Sequence, residues 1–216
     1  MDLMKLTDTS LAGLQQSVTN EARRRSLAAT QGRDAASIIR GNEMAKRAAS
    51  IAAAGQVSIL FVGPAICGKT MLRAVCLDLG VDESYEVRPC PCGNHGDCHA
   101  ICNCTVAQVR RAVAKFPPVD IAVQVIRPST KDQSYAGQTL ADLRQYAAQV
   151  AKYTDLSLDE HGGNLLKCSI NELGIDTAAV ERILRVARTI ANLDRTEPIR
   201  PIHLCEAINY RSLGNG

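Results

Sequence analysis

The sequence predicts an α/β protein in which a small parallel sheet is followed by a C-terminal bundle of helices. Three observations predict it. The apolar run Val57–Val62 has the length of a buried strand and leads into Gly63-Pro64-Ala65-Ile66-Cys67-Gly68-Lys69-Thr70, a G-x-x-x-x-G-K-T turn of the kind that joins a strand to a helix around phosphate. A second apolar run, Val119 to Ile126, is ended by Pro128. Beyond residue 135 the apolar residues recur at helical spacing.

The elements follow in order. Residues 1–33 are polar and mixed, and read as a helical or flexible arm. Asp8, Thr9 or Ser10 is placed to cap a short helix carrying Leu11, Leu14 and Val18. Arg23, Arg24 and Arg25 suit either a phosphate-binding arm or a solvated helix face. A phosphate-loop domain is expected over 34–134. Its first helix spans Asn42 to Ala54, where Met44, Ala48, Ile51 and Ala52 share a face and Glu43 stands four residues before Arg47. Gly55 stops it. A helix over Thr70 to Leu79 ends at Gly80, and another over Thr105 to Lys115 is broken by Pro117 and Pro118. The sheet should hold two or three strands.

Residues 135–216 are expected to form a helical lid. Leu140, Leu143, Ala147 and Val150 make one helical face; Val180, Ile183, Leu184, Ala187, Ile190 and Ala191 make a longer one. A last helix opens near Pro201 and carries Leu204, Cys205 and Ile208.

Bulk composition narrows the class. Apolar residues are 46% of 216, with no Trp and two Phe, so the core is aliphatic and alanine-rich. A net charge of +3 does not by itself specify a nucleic-acid partner. No apolar run approaches membrane-spanning length, and Asp2 and Lys5 stand where a signal sequence would be apolar. The cytoplasm is the expected location. In that reducing compartment nine cysteines, five of them crowded between residues 90 and 104, read as metal ligands rather than disulfides.

The cysteine loop contains two C-x-C pairs, Cys90-Pro91-Cys92 and Cys102-Asn103-Cys104. Residues i and i+2 of an extended segment point the same way, and Pro91 biases Cys90 toward extension. Each pair thus offers two thiolates to one ion. Four thiolates at tetrahedral corners make a closed, structural zinc site, for which Cys90, Cys92, Cys102 and Cys104 are the expected ligands. Cys98, His95 and His99 lie between the pairs as substitutes. At the phosphate loop Gly63, Gly68, Lys69 and Thr70 are the expected contacts for ATP with Mg²⁺. Backbone N–H groups would surround phosphate, Lys69 would add a point charge, and the Thr70 hydroxyl would ligate the metal.

These pieces assemble into a resemblance. "RGNEMAKRAASIAAAG", "SILFVGPAICGKTML", "RPCPCGNHGDCHAICNCTVAQVRR", "DIAVQV" and "ILRVARTIANLDRTEPIRPIHLCEAINYR" occur in the order found in the ComM (YifB) branch of the magnesium-chelatase subunit I family of AAA+ ATPases. The chain resembles that branch through most of residues 34–212. The resemblance implies an ATP-binding lid fold, ring assembly with itself or with a full-length ComM-like ATPase, and action on branched DNA.

The departures are specific. Only residues 71–89 separate Thr70 from Cys90, where the family carries its Walker B strand and sensor 1. The family's N-terminal domain is expected to have no counterpart. Asp159-Glu160 imitates an acidic strand end, but stands where the lid begins. Pro118 and Val119 fall where the family has an Asp-Arg pair, and Ala178 where it has the sensor 2 arginine. The family prefers Gly at the place of Ile66, and a β-branched residue resists positive φ, so distortion of the loop is expected there. No catalytic residue is assigned.

The expectation is an ATP-binding protein that is weak or inactive in hydrolysis, linked to DNA processing or recombination. The alternative is a zinc-stapled interaction or DNA-binding module that partners or regulates a full-length AAA+ ATPase. Arg182, Arg185 and Arg188 on the long lid helix would then face phosphates.

Overall fold

In the computed structural model, residues 39–211 are described apart from 96, 98, 99, 114, 116, 117 and 129–137. They belong to one unit, residues 35–216. The expected arm, with Leu11, Leu14, Val18 and Arg23 to Arg25, lies outside the described residues, as do Cys98 and His99.

Helix α1 (Glu43–Gly55) organises the rest. Ala45, Ala48, Ala49 and Ala52 recur at helical spacing and are fully buried. Such small side chains let neighbours approach the helix axis closely. Strand β1 (Ile59–Val62), helix α2 (Lys69–Asp78), strand β3 (Ile121–Gln124), helix α4 (Leu140–Ala148) and helix α6 (Thr177–Leu193) all pack on it. Asn42, just before α1, carries a left-handed backbone, and its side-chain amide donates to Ile126 O and accepts from Ile126 N. That exchange imitates a strand pairing and fastens the start of α1 beyond the end of β3.

The sheet has three parallel strands in the order β2-β1-β3, where β2 is Ser84–Val87. Central β1 is apolar on both faces, as a covered parallel strand must be. Ile59 and Phe61 enter the main core with α1 and α2, while Leu60 and Val62 meet Val119 and Ala122 on the other side. Within the described residues the expected helices and the two expected strands are present, each shifted or trimmed by a residue or more at its ends. Helix α3 (Val106–Val113) opens on a Thr105/Gln108 capping exchange. Strand β2 had no such sequence signal: only Tyr85 and Val87 are apolar, and four residues of Ser-Tyr-Glu-Val make a weak alternation.

The C-terminal helices continue with α5 (Glu160–Leu173) and α7 (Pro201–Asn209). Asp159 is the cap of α5 and accepts from Gly162 N at 2.7 Å. The acidic pair Asp159-Glu160 is therefore a helix start and ends no strand. Arg47 of α1 clamps the lid: Nε and Nη2 donate to the two carboxylate oxygens of Glu206 at 2.6 and 2.9 Å, and Nη1 donates to the Tyr146 hydroxyl. The Glu206 hydrogen bonds hold the Arg47 guanidinium well above its usual range.

The three lid arginines do not share one solvent face. Arg188 is buried, donating to the carbonyls of Asp155, Thr196 and Glu197 and lying against the Tyr153 ring. Arg185 reaches Asp120, whose other oxygen accepts from Ser58 N and Oγ. Arg182 is half-buried. The spacing i, i+3, i+6 overstated their common exposure, because Arg188 stands where the turn after α6 folds back and needs a donor.

Candidate functional site

The glycine loop fits tightly between β1 and α2. A Cβ at Gly63 would lie 2.2 Å from Val125 O and 3.0 Å from Cys67 Sγ, so only glycine is accommodated there. Gly68, with φ of 95°, turns the chain into α2 in the left-handed region. Ile66 adopts φ of 61° and is 91% exposed. Ile66 thus takes the left-handed conformation that a β-branched residue resists, at a strain of about 1–2 kcal/mol, and the side chain points into solvent.

Lys69 opens α2 and curls back over the loop. Its ammonium donates to Gly63 O at 2.8 Å and to Pro64 O, and lies 3.5 Å from Cys67 Sγ. The Thr70 hydroxyl donates to Glu86 Oε2 at 2.8 Å. Gly63, Gly68, Lys69 and Thr70 thus gather at one end of β1 and at the N-terminus of α2, where free N–H groups and the helix dipole favour an anion. The donor set fits a magnesium-bound polyphosphate: a tight backbone turn, a helix start, one cation and one hydroxyl.

The four cysteines Cys90, Cys92, Cys102 and Cys104 come together. Their sulfurs all lie within 4.8 Å of one another. Cys90 Sγ is 3.3 Å from Cys92 Sγ and 3.7 Å from Cys102 Sγ, and the Cys92–Cys102 separation is 3.6 Å. Four sulfurs about 2.3 Å from one zinc ion would stand about 3.8 Å apart, so the cluster has the dimensions of a closed tetrahedral thiolate site. Local backbone shapes each pair. Gly93 N donates to Cys90 O, and His95 N donates to Cys90 Sγ. His95 thus contributes its backbone to the sulfur shell and is outside the four-residue set.

The thiols are not equivalent. The Asn94 backbone N–H, helped by the Cys90 thiol, draws Cys92 down to about 6. At Cys102 the backbone N–H of Cys104 acts in the same direction, but desolvation and the Cys92 and Cys90 sulfurs outweigh it and push the thiol up to about 12. Cys104 is also raised: the Cys92 backbone N–H pulls it down, and the Cys92 side chain and desolvation prevail. Sulfurs this close resist full ionisation unless a cation joins them.

Two connecting residues carried no signal of their own in the sequence. Glu86 sits on the sheet face opposite that of Tyr85 and Val87; its alternation with them was the available hint. Arg127 joins the two loops: Nε donates to Ala65 O at 3.2 Å, and Nη2 pairs with Asp97 at 3.2 Å. Ala178 lies in the exposed first turn of α6 and offers no charge.

A parallel sheet with a glycine loop entering a Lys-Thr helix, followed by C-terminal helices, defines a P-loop α/β protein. Residues 35–88 match the family described as magnesium chelatase, subunit ChlI, and residues 133–211 match magnesium chelatase, subunit ChlI C-terminal. The chain belongs to this magnesium-chelatase ChlI-like family of AAA+ proteins. It is 39% identical over 59 residues to competence protein ComM of Haemophilus influenzae, covering 27% of this chain and 12% of that protein. It is 32% identical over 82 residues to the uncharacterized protein YifB of Salmonella typhimurium, covering 38% and 16% of the two chains. YifB of Escherichia coli is 38% identical over 56 residues, 26% of this chain and 11% of its own. The chain therefore matches less than a fifth of the length of each of these relatives. No helix among the described residues is long and apolar enough to cross a membrane.

Proposed function

We propose that the chain is an ATP-binding protein of the magnesium-chelatase/ComM-like AAA+ family, weak or inactive in hydrolysis, with a structural zinc ion in its cysteine loop. The observation that carries the reading is the loop geometry. Gly63 admits no side chain, Gly68 and Ile66 take left-handed turns, and Lys69 and Thr70 begin a helix beside them. Gly63, Gly68, Lys69 and Thr70 are the proposed ATP contacts. Lys69 would exchange the carbonyls of Gly63 and Pro64 for phosphate oxygens, which accept more strongly because they are charged. Mg²⁺ would supply neutralisation of the phosphates.

Cys90, Cys92, Cys102 and Cys104 are the proposed zinc ligands, supported by sulfur spacings that match a tetrahedral site. A closed thiolate site holds structure and leaves no position for substrate. Weak turnover is proposed because no arginine stands at Ala178 and the sequence has no apolar strand ending in Asp-Glu. Cytoplasmic location, a link to DNA processing or recombination, and ring assembly with itself or a full-length ComM-like ATPase are part of the proposal. Similarity to a competence protein supports the DNA link.

Thermal unfolding with added Mg·ATP tests the reading. At one hundred times the dissociation constant a ligand stabilises by about 2.7 kcal/mol, or ~5–10 °C at this size. A melting temperature unmoved by millimolar Mg·ATP would sink it.

One observation favours a second reading, a zinc-stapled interaction module without nucleotide. Lys69 is fully bonded to its own loop, and Ile66 places an apolar side chain at the loop's crest. Its DNA-binding version loses support because Arg188 is buried. A DNA titration across salt concentrations checks that version, since phosphate contacts must weaken as salt rises.

A further inference from the structure

We propose that Glu86 is the carboxylate that holds the divalent cation beside Thr70, in place of an acidic strand end that this chain lacks. The inference rests on the nucleotide reading and names the metal-binding residue of that site. The loop and helix start supply a cation, a hydroxyl and N–H donors, but no carboxylate. A magnesium–phosphate site of this class needs an acidic group beside the loop hydroxyl.

The strand register puts one there. In β2, Tyr85 and Val87 pack on the smaller core, so Ser84 and Glu86 face the side that carries α2. Glu86 stands opposite Phe61 in β1, two residues before Gly63, and Gly63 N itself donates to Val87 O. The carboxylate is thereby brought beside the first turn of α2, with Oε2 2.8 Å from Thr70 Oγ1. Two oxygens at adjacent corners of a magnesium octahedron, each about 2.0–2.1 Å from the ion, are about 2.9 Å apart. The observed pair already has that separation.

Glu86 is also half-buried with no Lys, Arg or His paired to it among the described residues. A hydrogen bond from a neutral hydroxyl leaves its charge uncompensated. A hard divalent cation, Mg²⁺ or Mn²⁺, held by Glu86 and Thr70 together with substrate phosphate and water, would compensate it. Mg²⁺ characteristically takes one or two carboxylates, substrate phosphates and retained waters. Among the described residues the hydrogen-bonded pair provides one acid for the metal and none assigned to orient an attacking water. Metal–nucleotide binding with slow turnover is the expected behaviour.

The charge makes a crossed prediction. Without metal, Glu86 repels the phosphates; with metal, it holds them through the ion. The test is a titration of the zinc-loaded full chain with a fluorescent ATP analogue, with and without added Mg²⁺, for wild type, Glu86→Gln and Lys69→Ala. Mn²⁺ bound in the ternary complex is counted by electron paramagnetic resonance. Glu86→Gln is expected to bind the analogue without Mg²⁺ as well as wild type or a few-fold better. It is expected to lose about tenfold of the affinity gained on adding Mg²⁺, and to hold Mn²⁺ about tenfold more weakly. An undiminished Mg²⁺ gain in Glu86→Gln overturns the proposal, as does equal loss with and without metal, the mark of a structural role. If wild type binds no analogue under either condition, the nucleotide reading itself fails. Lys69→Ala, which should bind roughly 10- to 100-fold more weakly in both conditions, separates that outcome from a failure confined to Glu86.

Discussion

The cysteine loop and the glycine loop are both candidate ion sites, and they differ in how they are closed. Cys90, Cys92, Cys102 and Cys104 come from one 15-residue stretch, residues 90–104, gather within 4.8 Å of one another, and would fill all four corners of a tetrahedron around one ion. The proposed site at the glycine loop draws Thr70 from the start of α2 and Glu86 from β2, whose hydrogen-bonded oxygens would cover only one edge of an octahedron. Soft sulfur in a closed shell suits a structural zinc ion; hard oxygen in an open shell suits Mg²⁺ shared with phosphates. The first loop should govern whether the fold holds, and the second whether a ligand binds.

The largest expected effect breaks the first half of that comparison. Cys92→Ser should reduce bound zinc from one ion per chain to none. Clipping a loop of about 15 residues stabilises by roughly 3 kcal/mol in the chain-entropy account, or ~6–12 °C of melting temperature at this size. Metal analysis beside a thermal melt checks it. Unchanged zinc with an unchanged melt would remove the cluster from the account.

A smaller effect tests whether the two loops are independent. Arg127 links them by donating to Ala65 O and pairing with Asp97. Stripping zinc from the wild type should weaken nucleotide binding by about fivefold, a coupling of roughly 1 kcal/mol. In Arg127→Ala the same stripping should change affinity by less than about twofold. Equal losses in both proteins would mean that the coupling runs elsewhere.

The smallest effect concerns strain. Ile66→Gly removes a β-branched residue from the left-handed region but frees the unfolded chain. The net expectation is a gain of about 0.5–1 kcal/mol and a melting temperature raised by ~1–4 °C, with nucleotide affinity unchanged or better. Destabilisation would show that the exposed Ile66 side chain contributes more than its backbone strain costs.

The contrast also explains what could be read from the sequence. The four cysteines were found because local spacing places both ligands of each pair on one side of an extended segment. The strand before Gly63 and the helices carrying Ile51, Ile183 and Leu204 were found because their apolar period is unbroken over enough residues. Glu86 was missed because its place beside Thr70 depends on a parallel register between segments that no local pattern encodes. The short run Ser84–Val87 gave too few turns of alternation to mark a strand. Arg188 was misplaced for a related reason: periodicity locates a helix face, but the turn of residues 194–200 that covers this one is tertiary.

The most direct test of the central claim is an equilibrium titration of wild type and Lys69→Ala with a fluorescent ATP analogue in the presence of Mg²⁺. The account predicts saturable binding by wild type. Loss of one charge-assisted contact of about 1.5–3 kcal/mol should weaken the variant roughly 10- to 100-fold. Equal affinity in the two proteins, or no binding by either, would contradict it and leave the loop as a tight connection between β1 and α2.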